Sequence, residues 1–275
     1  MKYTVTTNLN YDPAHPEMDR LDVYSPEKSR GVAYLYFHGG GLQDGDKAGN
    51  CLDFIKPVAE QGFPVFSANY RFLPPLPQFP AKSTELAGSA ENGVGWREIL
   101  QDCVNAAAFV LKEGRKYADF EKLVIGGSSA GGYQSMMLFL NKALLAEAGI
   151  DGERDIAGYF FDAGQPTTHF RMLGLDGQHL RRLLIDERAP LYYLTEDFTA
   201  PETLPLLQFL LAEQDMPGRA DQNRLMLTTL KNFRFPAEKT AFHTMMGYKH
   251  CKYFADREYQ AVLMNFLDAA GRGSF

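Results

Sequence analysis

Short apolar runs alternate along this chain with longer amphipathic stretches. Runs of strand length occupy residues 20–24, 32–38, 65–70, 121–126, 156–161, 205–211 and 239–244. Stretches with helical character occupy residues 52–61, 97–117, about 132–148, 221–232 and 255–269. Strands that alternate with helices form a mostly parallel sheet with helices on both faces. The pattern therefore predicts an α/β fold.

One segment, from about residue 162 to 201, interrupts this alternation. It is rich in aromatic residues, and we expect a short basic helix around Leu180 to Leu183. Long insertions in a regular fold are usually functional. We interpret residues 1–275 as a single domain with a cap insertion at about 162–201; a plain surface excursion is the alternative.

Composition narrows the class of partner and the compartment. A net charge of −6 argues against nucleic acid as a partner. The three scattered cysteines do not form a disulfide framework. The N-terminus lacks the apolar core of a signal peptide, and no stretch has the length of a membrane span. We therefore predict a cytoplasmic protein that has no membrane partner.

The stretch Gly127-Ser128-Ser129-Ala130-Gly131 has the form G-x-S-x-G. It lies between a predicted buried strand and a predicted buried helix, which is the setting of a nucleophile elbow. Gly127 and Gly131 allow the neighbouring chain to pass without a Cβ clash. The arrangement predicts Ser129 as a nucleophile at the edge of the sheet, beside the amides of a helix N-terminus.

A second glycine cluster, His38-Gly39-Gly40-Gly41, follows the strand-like run 32–37. Backbone N–H groups in such a loop can stabilise the negative charge that develops on a carbonyl oxygen during acyl transfer. We predict that the amides of Gly40 and Gly41 form an oxyanion hole together with the amide of Ala130. His38 and Gly39 shape the loop.

Together the two motifs resemble those of α/β-hydrolases of the HGGG type. This group includes hormone-sensitive-lipase-like esterases, bacterial acetyl and feruloyl esterases, and kynurenine formamidases. The likeness runs from about Leu21 to Phe266 and includes three further stretches, Gly45-Asp46-Lys47, Asn69-Tyr70-Arg71-Phe72 and Gln78-Phe79-Pro80-Ala81. Leu42 and Ser128 depart from it, because an aromatic and an acidic residue are common there. The resemblance implies the α/β-hydrolase fold and a Ser, Asp, His catalytic set.

A serine nucleophile needs a base, and the base needs an acid that orients it. His250 follows the last predicted strand, whereas His243 lies within it, so we predict His250 as the base. Asp215 follows the strand 205–211 by a few residues, as the acid does in the family. Glu213 and Asp221 are the alternatives, although Asp221 precedes a helix and is also suited to an N-cap.

The expected function is that of a serine carboxylesterase that hydrolyses small-molecule esters with short acyl chains. Aromatic residues of the cap, Phe170, Tyr192, Tyr193 and Phe198, could narrow the acyl pocket. The alternatives are an arylformamidase-type amide hydrolase and a non-catalytic binding protein on a hydrolase scaffold. The sequence shows no cofactor motif and no metal-site spacing. A homodimer is compatible with the chain.

Overall fold

A single eight-stranded sheet organises the protein. The computed structural model describes residues 2–77, 94–195, 197–198 and 203–275. The strands are β1 (Tyr3–Asn10), β2 (Arg20–Pro26), β3 (Val32–Phe37), β4 (Val65–Ala68), β5 (Lys122–Ser128), β6 (Ile156–Asp162), β7 (Leu206–Gln214) and β8 (Thr240–Lys249). Their order in the sheet is β1-β2-β4-β3-β5-β6-β7-β8.

The sheet is antiparallel at one side and parallel over the rest. Strand β2 pairs antiparallel with both β1 and β4, while all pairs from β4 to β8 are parallel. Parallel strands end at the same edge of a sheet. The carboxyl ends of β3, β5, β6, β7 and β8 therefore lie side by side, and this edge is where ligands bind in such folds.

Seven helices connect or flank the strands in the described part of the chain. They are α1 (Leu52–Glu60), α2 (Trp96–Glu113), α3 (Ala130–Leu140), α4 (Lys142–Glu147), α5 (Phe170–Leu175), α6 (Arg219–Asn232) and α7 (Arg257–Arg272). None of them combines the length and the apolar character that a bilayer crossing requires.

Helices cover both faces of the sheet because successive strand side chains point to opposite sides. On β3, Leu35 and Phe37 join the core beneath α2, α3 and α6, while Tyr34 and Tyr36 join the core beneath α1 and α7. Every residue of β3 is buried. Burial on two faces produces the continuous apolar runs seen in the sequence.

Apart from shifts at element ends, the largest of which extends β8 from the predicted residue 244 to Lys249, the structure differs from the sequence-based elements in three places. Strand β1 was not predicted, because its side chains are mostly exposed and polar. The helix expected after the elbow divides at Asn141, whose ψ of 78° is not helical. No helix forms around Leu180 to Leu183; the helix of this insertion is α5, ten residues earlier. The stretch Gln78–Ala81 lies outside the described residues.

Candidate active site

Ser129 occupies a sharp turn between β5 and α3. Its φ of 56° and ψ of −107° are rare for a residue with a side chain. Two hydrogen bonds hold this geometry: the Ser129 N–H donates to the Asp162 carbonyl at 2.7 Å, and the Ser129 carbonyl accepts from the Tyr133 N–H at 3.0 Å. The serine is half-buried, so its hydroxyl is held at the sheet edge and remains within reach of solvent.

The two glycines of the elbow are required by close packing. A Cβ atom on Gly127 would lie 2.5 Å from the Phe37 carbonyl oxygen, and one on Gly131 would lie 1.9 Å from the same atom. The elbow therefore packs directly against the carboxyl end of β3. This contact brings the loop that follows β3 next to the serine.

His250 and Asp215 complete a hydrogen-bonded chain that starts at Ser129. The Nε2 atom of His250 lies 2.8 Å from Ser129 Oγ, and its Nδ1 atom lies 2.6 Å from Asp215 Oδ1. A carboxylate only accepts, so Nδ1 carries the proton and Nε2 accepts from the serine hydroxyl. The nucleophile, base and acid predicted from the sequence are thus joined by consecutive hydrogen bonds, although 121 residues separate Ser129 from His250.

Asp215 is held in its ionised form by its surroundings. Its side chain is only 3% exposed. Burial alone raises the pKa of this carboxyl, but the hydrogen bond and charge of His250 and the N–H of Met216 outweigh it, so the pKa falls below its ordinary value. The Ala212 N–H also donates to Oδ2 at 3.2 Å. An ionised Asp215 fixes the orientation and tautomer of the imidazole.

The alternative acids and the alternative base lie elsewhere. Glu213 accepts the Gly247 N–H at 2.8 Å and is exposed. Asp221 lies in the first turn of α6, where Gly218 is the N-cap, and its carboxylate is 3.4 Å from Arg224. His243 lies on β8 with its Nε2 atom 2.8 Å from Glu258. Among the described residues, none of these three is hydrogen-bonded to Ser129.

The glycine loop after β3 lies against the nucleophile. A Cβ on Gly39 would be 3.4 Å from Ser129 Cβ. Gly40 and Gly41 have φ angles of 123° and 64°, which favour glycine. Ala130 is the first residue of α3, and the first amides of a helix have no partner within it. The structure thus places Gly39 against Ser129, with Gly40 and Gly41 next in the same loop and Ala130 next to Ser129 in the chain.

His38 supports this loop from beneath. Its ring is buried and stacks on Tyr70 with centroids 4.4 Å apart. Its Nδ1 donates to the Gly39 carbonyl at 2.6 Å, and the Tyr70 hydroxyl donates to the His38 carbonyl at 2.7 Å. Burial lowers the pKa of His38 to about 4. The ring is therefore neutral at physiological pH, and it supports the glycine loop as a rigid, uncharged side chain.

Buried residues that the sequence analysis did not single out also surround the site. The Asp162 carboxylate lies directly beneath the elbow and binds the hydroxyl of Ser128. The buried guanidinium of Arg219 binds the Ala163 carbonyl, and its charge helps to lower the pKa of Asp215. The buried guanidinium of Arg171 donates to the Pro74 carbonyl at 2.7 Å. An acidic residue at the end of a buried strand beside the nucleophile strand was the available signal for Asp162.

A groove lined by other residues lies away from this chemistry. Its volume is about 730 Å³, and its wall includes Lys122, Ile156 and Pro205, at the amino ends of β5, β6 and β7. Ser129, Asp162 and Asp215 lie at or just beyond the carboxyl ends of the same strands. The groove is therefore at the opposite sheet edge. Among the described residues, no group of three or more His, Cys, Asp or Glu side chains is arranged to hold a metal ion.

Comparison with known proteins places this site in a known fold. The sequence profile of the prolyl oligopeptidase family matches residues 83–153, which include the elbow. No curated protein sequence matches the chain. Solved structures match over almost all of it.

Three of these structures are esterases. Inhibited esterase B from Lactobacillus rhamnosis has a TM-score of 0.71 at 17% identity, over 98% of this chain and 88% of that one. Thermogutta terrifontis esterase 2, phosphoramylated by tabun, has a TM-score of 0.63 at 19% identity, over 98% and 92%. A bacterial heroin esterase has a TM-score of 0.59 at 18% identity, over 100% and 84%. The chain has the α/β-hydrolase fold, which confirms the fold predicted from its two motifs.

Proposed function

We propose that this protein is a serine carboxylesterase that hydrolyses short-chain acyl esters through an acyl-enzyme. The single observation that supports this most strongly is the chain of contacts Ser129 Oγ, His250 Nε2, His250 Nδ1 and Asp215 Oδ1, with separations of 2.8 and 2.6 Å. A nucleophile within hydrogen-bond reach of a base, which is in turn oriented by an acid, is the signature of covalent acyl transfer. The esterase identity of the structural neighbours points the same way.

The first half-reaction forms the acyl-enzyme. His250 Nε2 accepts the Ser129 proton as Oγ attacks the ester carbonyl carbon. In this proposal the amides of Gly40, Gly41 and Ala130 stabilise the charge that develops on the carbonyl oxygen. The imidazolium is stabilised by Asp215 and then returns its proton to the leaving alcohol. Ser129 is left esterified by the acyl group.

The second half-reaction repeats these steps with water. His250 removes a proton from a water molecule, which attacks the acyl carbonyl in the same oxyanion hole. When the tetrahedral intermediate collapses, His250 protonates Ser129 Oγ and the carboxylic acid leaves. No step needs a redox or metal cofactor.

Short acyl groups are the preferred substrates in this proposal because an aromatic side chain narrows the site. The Phe170 ring lies within 3.6 Å of the position that a Cβ on Gly41 would take. The other aromatic residues named from the sequence lie further out or in the core. Tyr192 is half-exposed, Tyr193 donates to the Glu187 carbonyl, and Phe198 packs on Phe139 and Phe235.

Formamide cleavage gains no support from the stretch that suggested it, Gly45-Asp46-Lys47. The Lys47 ammonium is buried 2.9 Å from Asp22, and the Asp46 carboxylate caps a turn at the Ala48 N–H. Gly45 packs against the His38 ring. All three residues have packing roles that an esterase needs as much as a formamidase.

The same proposal includes a cytoplasmic location and a small-molecule substrate. The described cysteines are Cys51, Cys103 and Cys251, all of them free thiols, which suits a reducing cytoplasm. A net charge of −6 suits small neutral esters better than nucleic acid. A homodimer stays a prediction, for which sedimentation equilibrium is the test.

Labelling and turnover together test the activity. A fluorophosphonate probe should label the wild-type protein once, on Ser129, and p-nitrophenyl acetate should be hydrolysed with a burst. Ser129→Ala should lose both signals, while Ser29→Ala, a change in a surface turn, should keep them. N-formylkynurenine serves as the competing substrate. A wild-type protein that is not labelled and hydrolyses neither substrate refutes the proposed activity and favours the binding-protein alternative, and one that strongly prefers N-formylkynurenine is a formamidase.

A further inference from the structure

A buried carboxylate connects the structural elements that carry the serine and the histidine. Asp162 is the last residue of β6, and its side chain is fully buried. Oδ2 accepts from the Ser128 hydroxyl at 2.5 Å and from the Tyr259 hydroxyl at 3.2 Å, while Oδ1 accepts from the Tyr253 hydroxyl. Three hydroxyl groups from three different elements thus converge on one carboxylate.

These contacts reach both partners of the proton transfer. Ser128 directly precedes Ser129 in the chain, and the Asp162 carbonyl accepts the Ser129 N–H at 2.7 Å. Tyr253 lies three residues after His250, in the connection between β8 and α7. Ser128 and Asp162 are also register partners on adjacent parallel strands. One residue therefore holds the nucleophile by its main chain and the histidine segment by its side chain.

A carboxylate in this cluster lowers the free energy of unfolding, which a purely structural residue would not be expected to do. All three donors are neutral hydroxyls, and a buried carboxylate without a bound cation loses much hydration free energy. Burial accordingly raises the pKa of Asp162 to about 6, against the opposing effects of Ser128, Tyr253 and a protonated His250. The titratable groups that interact with Asp162 are Tyr34 and Tyr36 of β3, Asp215 after β7, His250, Cys251 and Tyr253 of the following connection, and Tyr259 of α7.

His250 is the cation that this site can favour. It is not hydrogen-bonded to Asp162, but its positive charge attracts the Asp162 carboxylate, and by reciprocity the carboxylate favours the imidazolium. During turnover the imidazolium forms when Nε2 takes the Ser129 proton. The Asp162 carboxylate, which destabilises the resting protein, can therefore stabilise the positive charge of His250 when that charge appears.

We propose that Asp162 is a positioning residue, which fixes the segment of Ser129 relative to that of His250 and whose negative charge stabilises the imidazolium. This inference rests on the proposed esterase function. It adds a second acid to the site: Asp215 orients the imidazole by direct contact, and Asp162 acts through Ser128 and Tyr253.

Two isosteric variants provide the test. Asp162→Asn keeps the shape of the side chain but removes its charge. The matched control is Asp19→Asn, because Asp19 is also buried and also accepts from a tyrosine hydroxyl, that of Tyr11. We expect Asp162→Asn to lower kcat for p-nitrophenyl acetate by about 10- to 100-fold with little change in KM, because small displacements of reacting groups are costly. Its Tm should be equal to or above that of the wild type, and Asp19→Asn should retain wild-type kcat.

The pH profile distinguishes positioning by charge from simple packing. Below about pH 6 the wild type loses the Asp162 charge and with it part of the rate. Asp162→Asn has no such titration, so the acid limb of its kcat/KM profile should move to lower pH. Ser128→Ala and Tyr253→Phe leave the carboxylate in place, so they should lower kcat without moving that limb. Tyr253→Phe removes a single oxygen atom and keeps the test available if Asp162→Asn does not fold.

The outcomes separate this inference from the function on which it rests. A wild-type protein without hydrolysis and without phosphonate labelling refutes the proposed function. An active wild type whose Asp162→Asn or, where that variant fails to fold, Tyr253→Phe form matches Asp19→Asn in kcat overturns the role of Asp162. A loss of kcat in Asp162→Asn that follows a fall in Tm, with an unmoved acid limb, also overturns it.

Discussion

The Nδ1 atom of His250 lies 2.6 Å from Oδ1 of Asp215. Asp215 is almost fully buried, whereas the His250 side chain is 24% exposed. The side chain predicted as the acid is thus shielded from water, while the one predicted as the base retains access to it. This division suits the two roles, because the base must exchange protons with substrate and water and the acid must stay ionised.

The first prediction compares the two histidines of the β8 region. His250→Ala should lower kcat for p-nitrophenyl acetate by about 10⁴-fold or more, because it removes a member of a catalytic unit. His243→Ala should keep near-normal kcat, since it removes only a partly exposed contact with Glu258 and costs under about 1 kcal/mol. Equal kcat in a folded His250→Ala protein and the wild type would refute the assignment.

A second prediction concerns the glycine loop. In Gly40→Ala the new Cβ would lie 1.7 Å from the Asp44 carbonyl oxygen, so the loop must move. Its amides would then no longer point at the carbonyl oxygen of the substrate. We expect kcat to fall by about 100- to 1,000-fold, as for the loss of an oxyanion-hole donor.

Gly149→Ala is the matched control for that variant. Gly149 also has a positive φ, 76°, but a Cβ there would meet nothing within 4 Å. This variant measures the backbone cost alone, about 1–2 kcal/mol of stability, and should leave kcat unchanged. The assignment of the oxyanion hole is wrong if the two variants have the same kcat.

Local sequence patterns were sufficient to predict the elbow and the glycine loop. Both motifs depend on short stretches in which glycine is required by close packing, as at Gly127 and Gly131. The positions of the buried strands were also predictable, because burial on two faces leaves a continuous apolar run, although β7 extends three residues beyond its predicted end. Strand β1 escaped prediction because an exposed edge strand has no such run.

Long-range contacts could not be predicted from the local sequence pattern. The Asp162 carboxylate binds Tyr253 and Tyr259, which lie 91 and 97 residues away. The position of Asp162 at the end of a buried strand was a local signal, but nothing in the sequence of β6 identifies the two tyrosines that bind it. The helix expected around Leu180 was wrong for a related reason: its exposed side chains gain little burial, and a short helix without packing is not stable.

A third prediction concerns acyl length. The Phe170 ring flanks the glycine loop and is partly exposed. In a series of p-nitrophenyl esters from acetate to decanoate, the wild type should be fastest with acyl groups of about four carbons or fewer, because overpacking costs 1–3 kcal/mol. Phe170→Ala should move the maximum to longer chains, with gains of up to about fourfold in kcat/KM per added methylene.

Phe198→Ala is the control for this series. Its ring is buried between Phe139 and Phe235, away from the glycine loop. The truncation should lower the free energy of unfolding by about 3–5 kcal/mol and leave the chain-length profile of the folded protein unchanged. A wild-type maximum at octanoate or longer would reject the narrow pocket.

The last prediction concerns stability and pH. Burial, with added repulsion from Asp102, raises the pKa of Asp19 to about 8, even though Arg71 and the Tyr11 hydroxyl oppose the shift. A carboxyl whose pKa is higher in the folded than in the unfolded state stabilises the fold while both states are protonated. Between about pH 4 and pH 8 the unfolded chain releases this proton and the folded chain retains it, so stability falls as pH rises.

Asp19→Asn removes that pH dependence. Urea denaturation should show that the variant gains about 2–4 kcal/mol over the wild type between pH 4 and pH 8. The control, Asp268→Asn, affects a surface carboxylate that pairs with Arg30 at 2.7 Å, and its curve should run parallel to that of the wild type. A constant difference between Asp19→Asn and the wild type across this range would mean that Asp19 is ionised in the folded protein. The Tyr11 hydroxyl and Arg71 would then stabilise its charge more strongly than burial and Asp102 oppose it.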